Sequence, residues 1–170
     1  MKKMLVVSVI VMLATVLVNA LSLAQAEGGK IRLVTREISL GRVHPSIVGE
    51  SLYASLDSQR VAYRAEHGNK QFVVMDGEEG KEYDEAGPPL FSPNSQRVAY
   101  GAARGGKQFV VVDGMEGKEY DGIRVRTLRF NPDGQRMAYV AVHGDKRFLV
   151  VNGGEGKEYD EMGPPLFSPE

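Results

Sequence analysis

Three histidines, His44, His67 and His143, are the side chains of this 170-residue sequence best suited to metal ligation or proton transfer near neutral pH. His67 and His143 precede Gly-Asn and Gly-Asp pairs in equivalent segments, and Arg104 takes the same place in a third. Metal ligands must converge on one point, whereas residues flanking turns of separate segments point to a rim, so both histidines read as exposed turn residues. Cysteine is absent, which removes disulfide scaffolds, thiolate zinc sites, cysteine nucleophiles and an acylated N-terminal cysteine. The acid pairs Glu82 with Asp84, Glu119 with Asp121 and Glu158 with Asp160 carry the two carboxylates that glycoside hydrolysis uses. Each pair brackets a tyrosine, so strand periodicity puts both acids on one face and Tyr83, Tyr120 or Tyr159 on the other. Threefold recurrence marks a solvated edge. Gly77-Glu78-Glu79-Gly80-Lys81 and its two counterparts resemble a phosphate loop only in their glycines and lysine. Glutamate follows the lysine and a strand comes next, where such a loop needs Ser or Thr and a helix N-terminus. With no G-x-S-x-G elbow either, no catalytic, cofactor-binding or metal-binding residue is assigned, and the chain is expected not to be an enzyme.

These residues sit in a repeat. Ser58 to Asp84 aligns without gaps on Ser95 to Asp121 with 21 of 27 residues identical, and Gly134 to Asp160 matches the second copy at 17 of 27. Such a period belongs to repeat architectures. Val61-Ala62-Tyr63 and Gln71-Phe72-Val73-Val74 are β-branched and aromatic, and His67-Gly68-Asn69-Lys70 between them predicts a two-residue hairpin with positive φ at the glycine. Ser92-Pro93-Asn94-Ser95 and Asn131-Pro132-Asp133-Gly134 predict a second turn, and Asp76-Gly77, Asp113-Gly114 and Asn152-Gly153 a third. Each unit is therefore a four-stranded meander, in the second copy Pro89 to Ser92, Gln96 to Ala102, Lys107 to Val112 and Lys118 to Asp121. The two long strands are apolar on successive residues, which requires both sheet faces to be covered. Stacked four-stranded sheets of this kind are the blades of a β-propeller.

The repeat breaks at Gly122-Ile123-Arg124-Val125-Arg126-Thr127-Leu128-Arg129, two residues longer than its counterpart in the second copy. As a strand it would put Arg124 and Arg126 on one face. Arg124, Arg126 and Arg129, with His67 and His143, form the candidate partner surface, suited to an acidic partner, beside the plain alternative of a tolerated insertion.

Phe91-Ser92-Pro93-Asn94-Ser95-Gln96-Arg97-Val98-Ala99-Tyr100 and Phe130-Asn131-Pro132-Asp133-Gly134-Gln135-Arg136-Met137-Ala138-Tyr139 resemble the WD-like repeat of bacterial exported propellers of the TolB type, whose core reads F-S-P-D-G-x-x-[IVL]-A-[FY]. The likeness covers roughly residues 50 to 170 and lacks the Trp-Asp pair of eukaryotic WD repeats. It implies an all-β, propeller-like array of four-stranded antiparallel blades, three full repeats plus a partial one. The start of the chain reads as a secretory signal helix: Lys2 and Lys3, an uncharged run, then Ala24-Gln25-Ala26 before Glu27. The expected division is a signal peptide over 1–26, a lead-in over 27–49 able to supply part of a blade, and repeats over 50–86, 87–125 and 126–162, with a fourth beginning at 163–170. An uncleaved anchor is the rival reading of the first segment and the one route to a membrane. Three copies are fewer than closed propellers use. The stop inside a fourth fits a truncated or partial chain, a self-associating partial propeller, or a four-bladed ring closed by Lys30 to Leu40. A formal charge of -1 predicts no grip on nucleic acid. The expected role is a non-enzymatic binding or scaffold module, periplasmic or extracellular, with a protein partner or self-association and no cofactor. The alternative is the propeller part of a hydrolase or of a TolB-like envelope protein.

Overall fold

The computed structural model describes the backbone of residues 8–12, 15–22 and 34–39, and residues 43–49 and 51–168 with their side chains. The repeat region forms three antiparallel sheets in chain order. The first holds β4 (Tyr53–Ala54), β5 (Val61–His67), β6 (Lys70–Met75) and β7 (Glu78–Glu79). The second holds β8 (Glu85–Ala86) and β9 (Leu90–Phe91), both paired to β10 (Val98–Arg104), then β11 (Lys107–Val112) and β12 (Met115–Glu116). The third holds β13 (Gly122–Ile123) and β14 (Arg129–Phe130), both on β15 (Met137–His143), then β16 (Lys146–Val151) and β17 (Gly154–Tyr159). The turns have the expected chemistry. Gly68, Gly105 and Gly144 have φ of 62°, 59° and 55°, and Asp76-Gly77 sits at 53° and 90°, the pair of positive values that a type I′ hairpin needs.

Both faces of each long strand are buried because neighbouring residues feed different cores. Along β5, Val61, Tyr63 and Ala65 join Phe72 and Val74 of β6 in one cluster, while Ala62 and Val73 point the other way, into a cluster with Val98, Tyr100, Phe109 and Val111 of the second sheet. Ala99 and Val110 repeat this against Met137, Tyr139, Phe148 and Val150 of the third. Each sheet thus has a leading face and a trailing face, and the trailing face of one blade packs on the leading face of the next. Successive apolar residues along a strand are what this stacking demands.

Polar latches repeat at each seam. Arg60 donates to the Asp76 carboxylate of its own blade at 2.8 Å and to the Gln96 carbonyl of the next at 2.7 Å, with its guanidinium over the Phe91 ring. Arg97 does the same with Asp113, the Gln135 carbonyl and Phe130. Asp84 and Asp121 accept the Gly105 and Gly144 N–H of the following hairpins at 2.7 and 2.8 Å. Their carboxyls lie below the usual range, held there first by Lys70 and Lys107.

Four features differ from the sequence expectation. First, no signal helix forms in the described part of 1–26. β1 (Ser8–Met12) pairs with β2 (Thr15–Ser22), and β2 pairs with β3 (Val34–Ser39). Val9, Ile10, Val11, Thr15, Val16 and Val18 are β-branched, stiff at χ1 and favoured in strands. The expected cleavage point after Ala26 lies outside the described residues. Second, Val34–Ser39 runs along β2, so this part of Lys30 to Leu40 does not close a fourth blade. Third, the seams fall earlier than 86/87 and 125/126, because Glu85–Ala86 and Gly122–Ile123 pair into the following sheets. Fourth, the first strand of each blade is broken in two, and the last is short in the second blade, at Met115–Glu116 with a further bridge from Tyr120 to Gln108.

Candidate interaction surface

The broken first strands build the site. In the third blade a 3₁₀ turn, Val125–Thr127, separates β13 from β14. The Thr127 hydroxyl holds it by donating to the Arg124 carbonyl at 2.6 Å and accepting the Val140 N–H at 2.9 Å. In the first blade, Ser51 serves the equivalent purpose, accepting the Arg64 N–H and donating to its carbonyl, both at 3.2 Å. The insertion at 122–129 is therefore not peculiar to the third blade. Ile47, bridged to Ala65, stands as far before Tyr53 as Ile123 does before Arg129, and the second blade, with Gly87-Pro88-Pro89, is the short one. Gly101 of β10 leaves the space that this geometry uses. A Cβ there would lie 2.7 Å from Cγ1 of Val125.

First strands of all three blades converge on one hollow of about 500 Å³, within the roughly 300–1,000 Å³ of small-ligand sites. Tyr53 and Leu56 line it from the first blade, Pro88 and Leu90 from the second, and Val125 and Leu128 from the third. Arg126 is its one charged lining residue. Leu56 is 78% exposed and Val125 46%. A second hollow of about 430 Å³ adjoins it across the Gly101–Val125 contact, lined by Arg64, Gln71, Glu85 and Gln108. There Nε of Arg64 is buried without a hydrogen-bond partner, while Nη1 reaches the Ala86 carbonyl at 3.4 Å.

The predicted surface residues separate into two places. Arg124 and Arg126 do not share a strand face: Arg124 precedes the 3₁₀ turn, Arg126 lies within it, and only Arg126 lines the hollow. Arg126 enters the hollow, while Arg129 is exposed on edge strand β14. His67 and His143 are the last residues of β5 and β15, flanking the hairpin turns at the strand ends remote from β4 and β14. Nδ1 of His67 is 3.4 Å from Glu82, and Nδ1 of His143 is 3.5 Å from Asp121. Arg104, at the corresponding turn, pairs with Glu116 and Glu119. Its guanidinium is the main cause holding the Glu116 carboxyl below the usual range, with Lys81 and Tyr83 adding to it. No group of three or more His, Asp or Glu that could hold a metal occurs among the described residues. Sequence reasoning missed the hollow, although one signal was present. Leu56 occupies the turn position that Pro93 and Pro132 hold in the other copies, an apolar residue placed where burial is not available.

Four-stranded antiparallel sheets stacked face to face, with their first strands converging on a common hollow, define an array of β-propeller blades. No family model matches the sequence, and no curated protein matches it. Among solved structures, the chain is similar to the β-propeller domain of the Trilobed protease from Pyrococcus furiosus, at 17% identity and a TM-score of 0.43, covering 64% of this chain and 41% of that one. It is also similar to TolB from Acinetobacter baumannii, at 9% identity and a TM-score of 0.44, covering 81% of this chain and 38% of that one. The chain thus matches about two fifths of the length of each.

Proposed function

We propose that the protein is a non-enzymatic, exported binding module that seats an apolar segment of a protein partner in the inner-strand hollow, with an acidic group of that partner at Arg126. One observation carries this reading. Three separate blades bring Tyr53, Leu56, Leu90 and Val125 to one concave place and leave them partly open, with a single positive charge at the rim. Concave, mostly apolar surfaces with few convergent polar groups are where ligands bind. Export is supported by the charged start, the uncharged run and Ala24-Gln25-Ala26.

The test is in-cell cross-linking followed by mass spectrometry of the cross-linked partners. Leu56→Ser with Val125→Ser, and separately Arg126→Ser, should each remove the same partner that the unchanged chain retains. Arg124→Ser with Arg129→Ser should weaken it less. A partner set unaltered by the first two variants refutes the hollow as the site. Mass spectrometry of the exported chain should find Glu27 at its N-terminus, and an intact Met1 refutes cleavage.

A further inference from the structure

Arg64 is the residue that the repeat does not explain. It stands in β5 where the second blade has Gly101 and the third Val140, and Ala62 and Val73, on the same face of the sheet, pack into the seam with the second blade. The packing of the blades therefore does without a charge at this place. The backbone of Arg64 is pinned by the segment before β4. Its carbonyl accepts the Val48 N–H at 2.9 Å and the Ser51 hydroxyl at 3.2 Å, and its N–H donates to the same hydroxyl. The side chain lines the polar hollow of about 430 Å³, where Gly87 and Gly101 contribute no side chains to fill the space.

Donors line this hollow and lack acceptors. Nε of Arg64 is buried without a hydrogen-bond partner, and Nη1 has only the Ala86 carbonyl at 3.4 Å, beyond the ordinary range of about 2.7–3.2 Å. Nη1 lies on the side of the guanidinium away from the Nε–H bond. The edge formed by Nε and Nη2, whose N–H bonds run parallel, thus has no acceptor among the described residues. Gln71 and Gln108 accept the Ala86 and Ile123 N–H groups through Oε1, at 3.0 and 2.7 Å, which leaves each amide Nε2 to donate. Glu85 is the one acid of the lining; it is exposed and makes no ion pair with Arg64. A buried donor without an acceptor is destabilising, so the hollow is built for a group that the chain itself does not supply.

We infer that this hollow binds a carboxylate, held bidentately on the Nε–Nη2 edge of Arg64, with the Gln71 and Gln108 amides as further donors. A planar acceptor with two oxygens matches the parallel N–H fork of arginine. The long Nη1 contact is a weak restraint, so the part-buried side chain can turn that edge to the opening. One arginine beside Glu85 suits a single negative charge, not the nearly two of a phosphate monoester. The inference needs neither Leu56, Leu90 nor Arg126 and would survive failure of the apolar hollow as a partner site.

The test is NMR titration of the full chain with N-acetyl-leucine and with its uncharged amide, read from the Arg64 Nε–H and Gly101 backbone signals. The acid should move both signals saturably. The amide should bind at least about tenfold more weakly, since charge-assisted hydrogen bonds are the stronger kind. Arg64→Lys keeps the charge and loses the fork, and should weaken binding about tenfold. Gln71→Glu retains an acceptor for the Ala86 N–H and sets a negative charge beside the guanidinium, so it should abolish binding with the circular dichroism spectrum unchanged. Glu85→Gln, at an exposed position, should strengthen binding by up to about fivefold, the scale of an exposed charge pair. Isocaproate separates two sources of the same group: binding equal to N-acetyl-leucine points to a free organic acid, and weaker binding to the terminal carboxylate of a peptide. No saturable shift at Arg64, equal binding of the amide, tighter binding of inorganic phosphate, or undiminished binding by Arg64→Lys or Gln71→Glu would each overturn the inference.

Discussion

The repeat offers one tyrosine in three settings, and truncating each to alanine measures what a blade seam contributes. Tyr83 is buried, edge-on to Tyr100 at 6.4 Å and Phe109 at 5.4 Å, and its hydroxyl donates to Glu116 at 3.2 Å. Removing a buried aromatic ring costs about 3–5 kcal/mol through lost transfer energy and the cavity left behind. The two edge-to-face contacts place Tyr83→Ala toward the upper part of that range, since each such pair adds roughly 0.5–1.5 kcal/mol beyond area burial. Tyr120→Ala should cost a similar amount, because Tyr120 packs on Tyr139 and Phe148 in the same way. Tyr159 is 50% exposed, so Tyr159→Ala should cost less than about 1 kcal/mol, the scale of surface changes. The assay is urea unfolding followed by circular dichroism. Tyr83→Phe separates the ring from the hydroxyl and should cost about 1.5–3 kcal/mol, the range for a hydrogen bond to a charged group. A cost for Tyr83→Ala below about 1 kcal/mol, or equal costs at positions 83 and 159, would refute the stacked-blade account of the core.

Acid should destabilise the fold in a defined window. Asp57, Asp84, Glu116, Asp121 and Glu155 all have folded-state carboxyls held below their ordinary values, Glu116 chiefly by Arg104 and Glu155 chiefly by Lys118. Such groups bind protons more readily when unfolded, so their contribution is present above about pH 4 and is lost as the pH falls through the lowered folded values. Urea midpoints should be flat from neutrality to mildly acidic pH and fall below it, less steeply in Glu116→Gln, and an unchanged slope in that variant would refute the assignment. Gly101→Ala should destabilise by about 1–3 kcal/mol, the usual range for overpacking, because the new methyl meets Val125. Adding Val125→Ala should recover most of that, and simple additivity of the two changes would show that they do not touch.

Much of the fold was legible because each repeat carries its own turn chemistry. Gly68, Asp76-Gly77 and Ser92-Pro93-Asn94-Ser95 specify chain reversals through local backbone preferences, and successive apolar residues in Val98-Ala99-Tyr100 required cover on both faces. Period two placed Tyr83 on the face opposite Glu82 and Asp84; that Tyr83 is buried while Tyr159 is half-exposed came from the packing between blades. The first segment was misread in its secondary structure, since the uncharged composition that marks a targeting helix is equally a run of β-branched residues able to pair as strands. The arginine cluster was misread because periodicity cannot register Thr127 turning its hydroxyl back onto Arg124 and Val140, which converts a strand into a 3₁₀ turn.

By itself, then, the sequence determined the unit: where the chain reverses, which residues alternate between cores, and that three copies stack. Only the tertiary structure decided what the stack encloses. The hollow of Leu56, Leu90, Val125 and Arg126 depends on the angle at which whole blades meet, and the 50% exposure of Tyr159, against 1% for Tyr83 and 3% for Tyr120, depends on which residues pack across each seam. Both are relations between repeats, set by side-chain packing across the seams, and no single repeat encodes them.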